Sequence, residues 1–453
     1  MPMTRPIAQT AAQAYATVNP DEALPSGDDR YVALDRARGT SNLAESLTAR
    51  IVAHEESNTS GAYARFLVTG HRGCGKTTEL YRLKELLTKN HFAVVYFDAE
   101  SELNLQELNW WNVLVEMVWQ IDEQLGKPPF NLQIPDDLRD TATEWLARVV
   151  MKKTDGTEME ASLASEASVG VGVSFFAKLK AAVKTAVKTG SSTVKEIEQE
   201  IERRPAQLYE AVTTLVSHVR LELYEKHGGG NLIVIVDGLE KIPLRPLGGQ
   251  LTTHNNLFIY NGSRLKAAPC HLVYTLPLAL LASEKIGEVF PERPVLMPMV
   301  HVRHRNGKED KNALNMMAEV IKRRVSPDLF APGVIKKLAL ASGGHMRDFL
   351  SLVREAAGEA EAGVRITQAH AKRAIAGLID LYNRIIKQEF IEPLDYVARH
   401  NELPGGPYDG ELVNRLLVLE YRNDETWTTL HPCVQVAPRY VRAPRERKEE
   451  ASA

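Results

Sequence analysis

Two short stretches of this chain hold residues whose types and spacing could do chemistry. The first is Gly70-His-Arg-Gly73-Cys-Gly75-Lys76-Thr77-Thr78. It fits G-x-x-x-x-G-K-[ST], with Gly70, Gly75, Lys76 and Thr77 at the defining positions, which is the pattern of a phosphate-binding loop. Gly70, Gly73 and Gly75 let the backbone turn tightly, so that successive N–H groups aim at phosphate oxygens. Lys76 offers a charge to the β- and γ-phosphates, and the Thr77 hydroxyl can ligate a bridging Mg²⁺. Thr78 completes the binding set at the start of the following helix. The second stretch is Asn231-Leu-Ile-Val-Ile-Val236-Asp237-Gly238-Leu239-Glu240. Its apolar run reads as a doubly buried parallel strand. Asp237 at the strand end suits a second Mg²⁺-coordinating carboxylate, and Glu240 is near enough to polarise an attacking water.

These groups need a frame. Phe66 to Thr69 reads as a strand entering the glycine turn, and Glu79-Leu-Tyr-Arg-Leu-Lys-Glu-Leu-Leu as the helix leaving it, whose N-terminal end adds positive potential. Ala93 to Asp98 reads as a second buried strand, Cys270 to Pro277 as another, and Pro294 to Arg303 as a further one beside a basic run (Arg303, His304, Arg305, Lys308). Leu103 to Leu125 is an amphipathic helix whose Trp110, Trp111 and Trp119 read as core residues, and Pro128-Pro129 closes it. Leu208 to His227 is a long helix ended by Gly228-Gly-Gly230.

From Asn312 the pattern is helical. Ser342-Gly343-Gly344 breaks one helix, and the next restarts with Arg347 in its first turn. A cation there opposes the helix dipole, so its placement calls for a phosphate across a cleft. Another helix starts at Thr367. Leu412 to Leu419 followed by the hairpin-like stretch to Pro432 suggests a small winged-helix-like module. Ahead of the first strand, Tyr31, Arg36 and Arg38 read either as contacts to a nucleotide base or as a solvated polar loop.

The 453 residues suffice for two or three domains, and the net charge of −3 gives no global bias toward nucleic acid or anionic membrane. Cys74, Cys270 and Cys433 are far apart with no C-x-x-C pair, which argues against a zinc or disulfide framework and fits a reducing cytoplasm. No apolar window reaches the length of a membrane span, so a cytoplasmic protein is expected. The reading divides the chain into a flexible arm (1–30), an ATPase core (31–305) with an insertion at about 151–200, a helical lid (306–380), a C-terminal module (381–436) and a disordered tail (437–453). Lys180, Lys184 and Lys188 in the insertion share one helix face, which reads as a solvated face or as a basic hairpin touching nucleic acid or a partner.

Taken together, residues 30–380 resemble the AAA+ and STAND branches of the P-loop ATPases. In that resemblance Gly70 to Thr77 corresponds to Walker A, and Leu232 to Asp237 to Walker B, with Glu240 downstream. Tyr274 or Thr275 looks like sensor 1. Ser342-Gly343-Gly344-x-x-Arg347 looks like sensor 2 and is similar to the lid of origin-recognition-type ATPases. The resemblance implies an α/β fold, a P-loop NTPase parallel sheet flanked by helices, followed by a helical lid and a small C-terminal winged-helix-like module. It implies ATP and Mg²⁺ as ligands, with Lys76, Asp237 and Glu240 catalytic, Thr77 and Asp237 on the metal, and Thr275 and Arg347 near the nucleotide. Gly238 departs from the family, because a glutamate commonly follows the Walker B aspartate. That departure is closer to STAND proteins, in which hydrolysis is slow and nucleotide serves as a switch. No arginine finger stands out among Arg264, Arg303, Arg323 and Arg324. By analogy, such ATPases act as homo-oligomeric switches in antiphage defence beside an effector protein. The alternatives are a DNA-binding loader or transposition regulator, and a nucleotide-binding scaffold with little hydrolysis.

Overall fold

The computed structural model describes residues 6–57, 62–135, 199, 201–203, 205–249, 251–281, 284–361, 364–423 and 425–444. The lysines expected to form a face in the insertion, and the end of the tail, lie outside them.

One parallel sheet organises the molecule. It contains β1 (Arg65–Thr69), β2 (Ala93–Asp98), β3 (Leu232–Asp237), β6 (His271–Leu276) and β7 (Val295–Leu296); β4 (Pro246–Gly248) and β5 (Leu251–Thr252) form a separate small hairpin. The spatial order is β2-β3-β6-β1-β7. Strand β6 thus separates the strand feeding the glycine turn from the strand ending in Asp237. Every residue of β3 and β6 is buried, as expected for central parallel strands covered on both faces. On one face α3 (Leu43–Glu56) and α4 (Lys76–Lys89) bury Leu47, Ile51, Leu80 and Leu83 against Phe66, Val68 and Ile233. On the other, α5 (Trp110–Leu125) and α6 (Pro205–His227) bury Trp110, Met117, Leu215 and Val219 against Val234 and Leu272. This is the expected α/β class. Among the described residues, no helix is long and apolar enough to cross a membrane.

Several local expectations shift for identifiable reasons. Helix α5 begins at Trp110 rather than Leu103, because the Asn104 side chain accepts the Gln106 amide and Asn109 caps the helix start. Of the stretch 294–303, only Val295–Leu296 joins the sheet, since Pro294 and Pro298 have no N–H to donate. The helix expected over 412–419 stops at Asn414, and Leu416, in the left-handed region at φ 57°, turns the chain into β8 (Val418–Arg422).

The lid is α7 (Lys311–Lys322), α8 (Val334–Ala341), α9 (Met346–Gly358) and α10 (Gln368–Ile385), packed around Met317, Leu338, Phe349 and Val353. The N-terminal stretch was expected to be a flexible arm, but from Ala8 it is packed. Ala8 bridges Val325, and Ala11 and Ala14, one turn apart on α1 (Ala11–Thr17), are buried in the lid core. Alanines give that helix a flat face that approaches α9 closely.

After α11 (Ile391–His400) and α12 (Asp409–Asn414), the hairpin β8–β9 (Thr426–Leu430) folds back onto the sheet rather than projecting from it. Glu420 O accepts the Met299 amide at 3.0 Å, and the Tyr421 hydroxyl donates to Gly343 O at 2.6 Å. Leu419, Tyr421 and Trp427 share a core with Phe66 and Val68. The Glu420 carboxyl is caught in this packing, with Oε1 lacking a hydrogen-bond partner, and burial pushes it up from 4.5 to about 7. The folded state therefore holds that proton more tightly than the unfolded chain. The resulting stability is full below about pH 4.5 and is lost as pH rises through about 7. Glu420→Gln is expected to raise Tm at pH 8, by the equivalent of about 3 kcal/mol, with the gain gone by pH 5. Thermal melts at the two pH values check this, and a pH-independent difference would place the carboxylate in water.

Candidate nucleotide-binding site

The glycine turn, the end of β2, the turn after β3 and the start of α9 converge on a cavity of about 610 Å³, a size that suits a small-molecule ligand. Helix α4 starts at Lys76, so the loop amides and the helix N-terminus face the same space. Lys76 is buried. Its Nζ donates to Gly70 O at 2.9 Å and His71 O at 3.1 Å, and it lies 3.0 Å from Glu240 Oε1. Burial is the largest effect and works against the ammonium, but Glu240, Cys74 and Asp237 together raise it above its ordinary value and keep Lys76 charged. Reciprocally, burial would raise Glu240, while Lys76 and the Thr275 hydroxyl hold it below the usual carboxylate range. Glu240 Oε2 is buried without a hydrogen-bond partner.

Asp237 receives hydrogen bonds from the Gly238 amide (2.7 Å), the Tyr96 hydroxyl (2.9 Å) and the Thr77 side chain. Burial and the nearby Glu240 charge push its carboxyl up. The two carboxyls thus part company, with Glu240 ionised and Asp237 the readier to take a proton. Gly238 has φ +81°, and a Cβ there would stand 2.1 Å from Asp98 Oδ1. No side chain fits at that position, which explains why a glutamate cannot follow Asp237 directly. The 3-10 turn Leu239–Lys241 instead brings Glu240 back to Lys76.

Of the two residues at the end of β6, the strand alternation sends only Thr275 to this side. Its Oγ1 accepts the Leu239 amide at 3.0 Å, whereas the Tyr274 hydroxyl donates to Leu265 O in the opposite core. Thr78 accepts the Leu24 amide at 3.1 Å, so the N-terminal stretch ties to the phosphate loop. Residues of the stretches 20–24 and 30–35 form one wall of the cavity. Tyr31 lies in that wall and donates to Glu79 at 2.8 Å, while Arg36 is exposed outside it. Arg38 is buried, donates to Cys74 O and Pro298 O as a brace for the phosphate loop, and also borders the cavity.

Arg347 reaches the cleft from the lid. Its amide donates to Gly73 O at 3.2 Å, and its side chain borders the cavity. The sequence offered it no local partner, yet Nε lies 2.8 Å from Asp21 Oδ1. That partner is 72% exposed, and exposed ion pairs of this kind contribute about 0–1 kcal/mol. The four arginine-finger candidates are engaged within the chain: Arg264 with Glu202, Arg303 with Gly307 O, Arg323 with Glu319, and Arg324 with Arg30 O and Val320 O.

Sequence reading missed a buried polar chain that joins loop, lid and C-terminal module. His345 Nε2 meets Arg72 O at 2.7 Å, and Asp348 is flanked by His345 (3.1 Å), His431 (3.2 Å) and the Tyr382 hydroxyl (2.7 Å). His71 accepts the Glu420 amide at 2.9 Å, and burial, followed by the charges of His345 and Lys76, lowers it to about 3, so it is neutral. Gly73 lies against this chain, and a Cβ there would stand 2.8 Å from His345 Nε2 and 2.9 Å from Arg347 Cβ. With φ +82° the position is doubly closed to side chains. Gly73→Ala is expected to push lid from loop, lowering Tm and weakening triphosphate binding at least tenfold, both measurable on the full chain. Retained affinity would show that the lid contact is not needed for binding.

No family model matches the chain, and no curated protein matches it by sequence. Solved structures similar to it include the ORC2 protein of Aeropyrum pernix in ADPNP–ADP complexes, at 14% identity and TM-score 0.41 over 91% of this chain and 96% of that one. Cdc6p of Pyrobaculum aerophilum is 12% identical, with TM-score 0.39 over 93% and 95%. The ORC1 protein of A. pernix in complex with DNA is 14% identical, with TM-score 0.36 over 89% and 94%. Likeness at this level carries no functional argument, and what the site can do follows from its own residues.

Proposed function

We propose that this chain is a Mg²⁺-dependent ATPase whose bound nucleotide sets the angle of the lid and thereby its assembly. One observation carries the reading: Lys76 and Thr77 at the start of α4 and Glu240 from the turn after β3 line one cavity that Arg347 borders from the lid, with buried Asp237 behind it hydrogen-bonded to Thr77. The donor set fits a triphosphate, with an ammonium, a helix N-terminus and loop amides on one side and a guanidinium on the other. The hydroxyl and carboxylate of Thr77 and Asp237, already hydrogen-bonded, are the residues that would hold Mg²⁺. Bound there, Mg²⁺ supplies charge neutralisation on phosphate oxygens.

The chain's own residues do the rest. Lys76 places positive charge on the transferring phosphate. Glu240, ionised and with one buried oxygen unpartnered, accepts a proton from water. It also lines a second cavity of about 360 Å³ on its far side, which gives water an approach that avoids the N-terminal wall. Slow turnover follows from the resting geometry, since the Lys76 contact at Oε1 lowers the basicity of the carboxylate whose free oxygen faces water.

Arg347 is the assigned link from phosphate to lid. A triphosphate outcompetes the weak Asp21 contact, and drawing Arg347 inward rotates α9 with it. In this reading assembly of like subunits follows, and an effector protein, as in antiphage systems, responds to the assembly. Arg347→Ala is expected to abolish nucleotide-dependent oligomerisation while weakening ATP binding less than loss of Lys76. Mass photometry with a slowly hydrolysed ATP analogue reads this, and unchanged assembly removes Arg347 from the switch. The DNA-loader alternative has less support among the described residues, because β8–β9 is packed inward apart from its tip. A DNA-stimulated, salt-sensitive ATPase rate would favour it instead.

A further inference from the structure

Away from the nucleotide cleft, the connection between sheet and lid brings together His301, His304 and Asp310. They sit on a tight turn closed by the Arg303–Glu309 bridge and by the Asp310 amide donating to Val302 O at 3.0 Å. One ligand atom from each lies within 4.8 Å of the others. His301 Nδ1 is 3.0 Å from Asp310 Oδ2, and His304 Nε2 is 3.8 Å from the same oxygen. Ligands about 2.0–2.2 Å from a tetrahedral zinc stand roughly 3.3 Å apart, so the first pair already has ligand spacing. A side-chain rotation of His304, which is 47% exposed, brings in the third. His301 Nδ1 is buried and, despite that short approach, forms no hydrogen bond. The neighbouring cations are turned elsewhere: Arg305 to Glu425, Lys336 to Glu309 and Arg303 to Gly307 O.

We infer that His301, His304 and Asp310 form a site for a divalent transition metal of the zinc type, with water in the remaining position. Two imidazoles and one carboxylate suit such an ion rather than Mg²⁺ or Ca²⁺, which take oxygen donors. The site would clasp the lid to the sheet. Asp310 Oδ1 already caps α7 by accepting the Ala313 amide at 2.9 Å, leaving Oδ2 for the histidines. The His301 amide donates to Ala37 O at 2.9 Å, next to Arg38, the brace of the phosphate loop. A metal there would fix the base of the lid at both its helix cap and its anchor to the core.

The test uses the full chain stripped with a chelator and titrated with Zn²⁺ and, for its visible absorption bands, Co²⁺. The expected result is one equivalent of metal bound with a rise in Tm. In His304→Ala the affinity should fall about tenfold or more, since even outer partners of metal ligands cost 10–100-fold. Asp310→Asn, which can still cap α7, should lose the Co²⁺ bands while keeping the fold. ATP affinity should be unchanged in His304→Ala, which separates this site from the nucleotide cleft. Equal Zn²⁺ binding by parent and His304→Ala, or metal binding with no Tm rise in the parent, overturns the proposal.

Discussion

Replacing Lys76 with alanine is expected to raise the Kd for ATP by a factor of roughly 30 to several thousand. That range corresponds to the about 2–5 kcal/mol typical of truncating one partner of a buried, hydrogen-bonded charge pair. Two losses add in this variant. The triphosphate loses its point charge, and Glu240, itself 7% exposed, loses the counter-charge that keeps it ionised in the core. The second loss also lowers stability, because an unpaired buried carboxylate must take up a proton or draw in water. Binding and folding effects separate in the double variant Lys76→Ala/Glu240→Gln, where the stranded carboxylate is gone. Its Tm should recover toward the parent while its ATP affinity stays low. Titration calorimetry and thermal melts on the same samples read both quantities. An affinity within twofold of the parent in the single variant would remove Lys76 from the phosphate site.

The parts of this site that were legible in the sequence are those in which chemistry and local backbone coincide. Gly70 to Thr77 is a contiguous loop between a strand and a helix, so its spacing alone locates it. Asp237 is visible because a fully apolar strand ends in a carboxylate. Thr275 and Tyr274 could not be separated from the sequence, since choosing between them needs the face of β6 that meets the Leu239 amide. Asp98 carried a usable signal that went unread: β2 also ends in an aspartate, and the strands pair in register with Asp98 beside Asp237.

Long-range packing accounts for what was not legible. Arg38 braces Cys74, 36 residues on, and Pro298, 260 residues on, through main-chain carbonyls that no motif encodes. The N-terminal stretch looked like an arm because alanines give weak periodicity, yet small residues are what lets α1 lie against α9. His345, Asp348 and His431 form one polar chain only because β8–β9 folds back, and a hairpin's docking face is not written in its alternation. Asp21 beside Arg347 belongs to the same class.

Glu240→Gln should slow ATP turnover by about 10²–10⁴-fold, the usual contribution of a positioned general base. The geometry adds a second expectation that a simple loss of base would not give. In the resting arrangement Glu240 competes with phosphate for Lys76 at 3.0 Å. A glutamine amide still reaches Lys76 but carries no charge, so the ammonium is freer to meet the triphosphate. ATP affinity should therefore hold or tighten as turnover falls, the opposite pairing to Lys76→Ala. Asp237→Asn should instead weaken the Mg²⁺-dependent part of both, because its carboxyl sits against Thr77 rather than Lys76. Single-turnover phosphate release gives the chemical step, and calorimetry with and without Mg²⁺ gives binding. Normal turnover in Glu240→Gln would move the base elsewhere in the same cavity. Asp98 is then the next residue to replace, since its carboxylate also borders the cavity, beside Gly238.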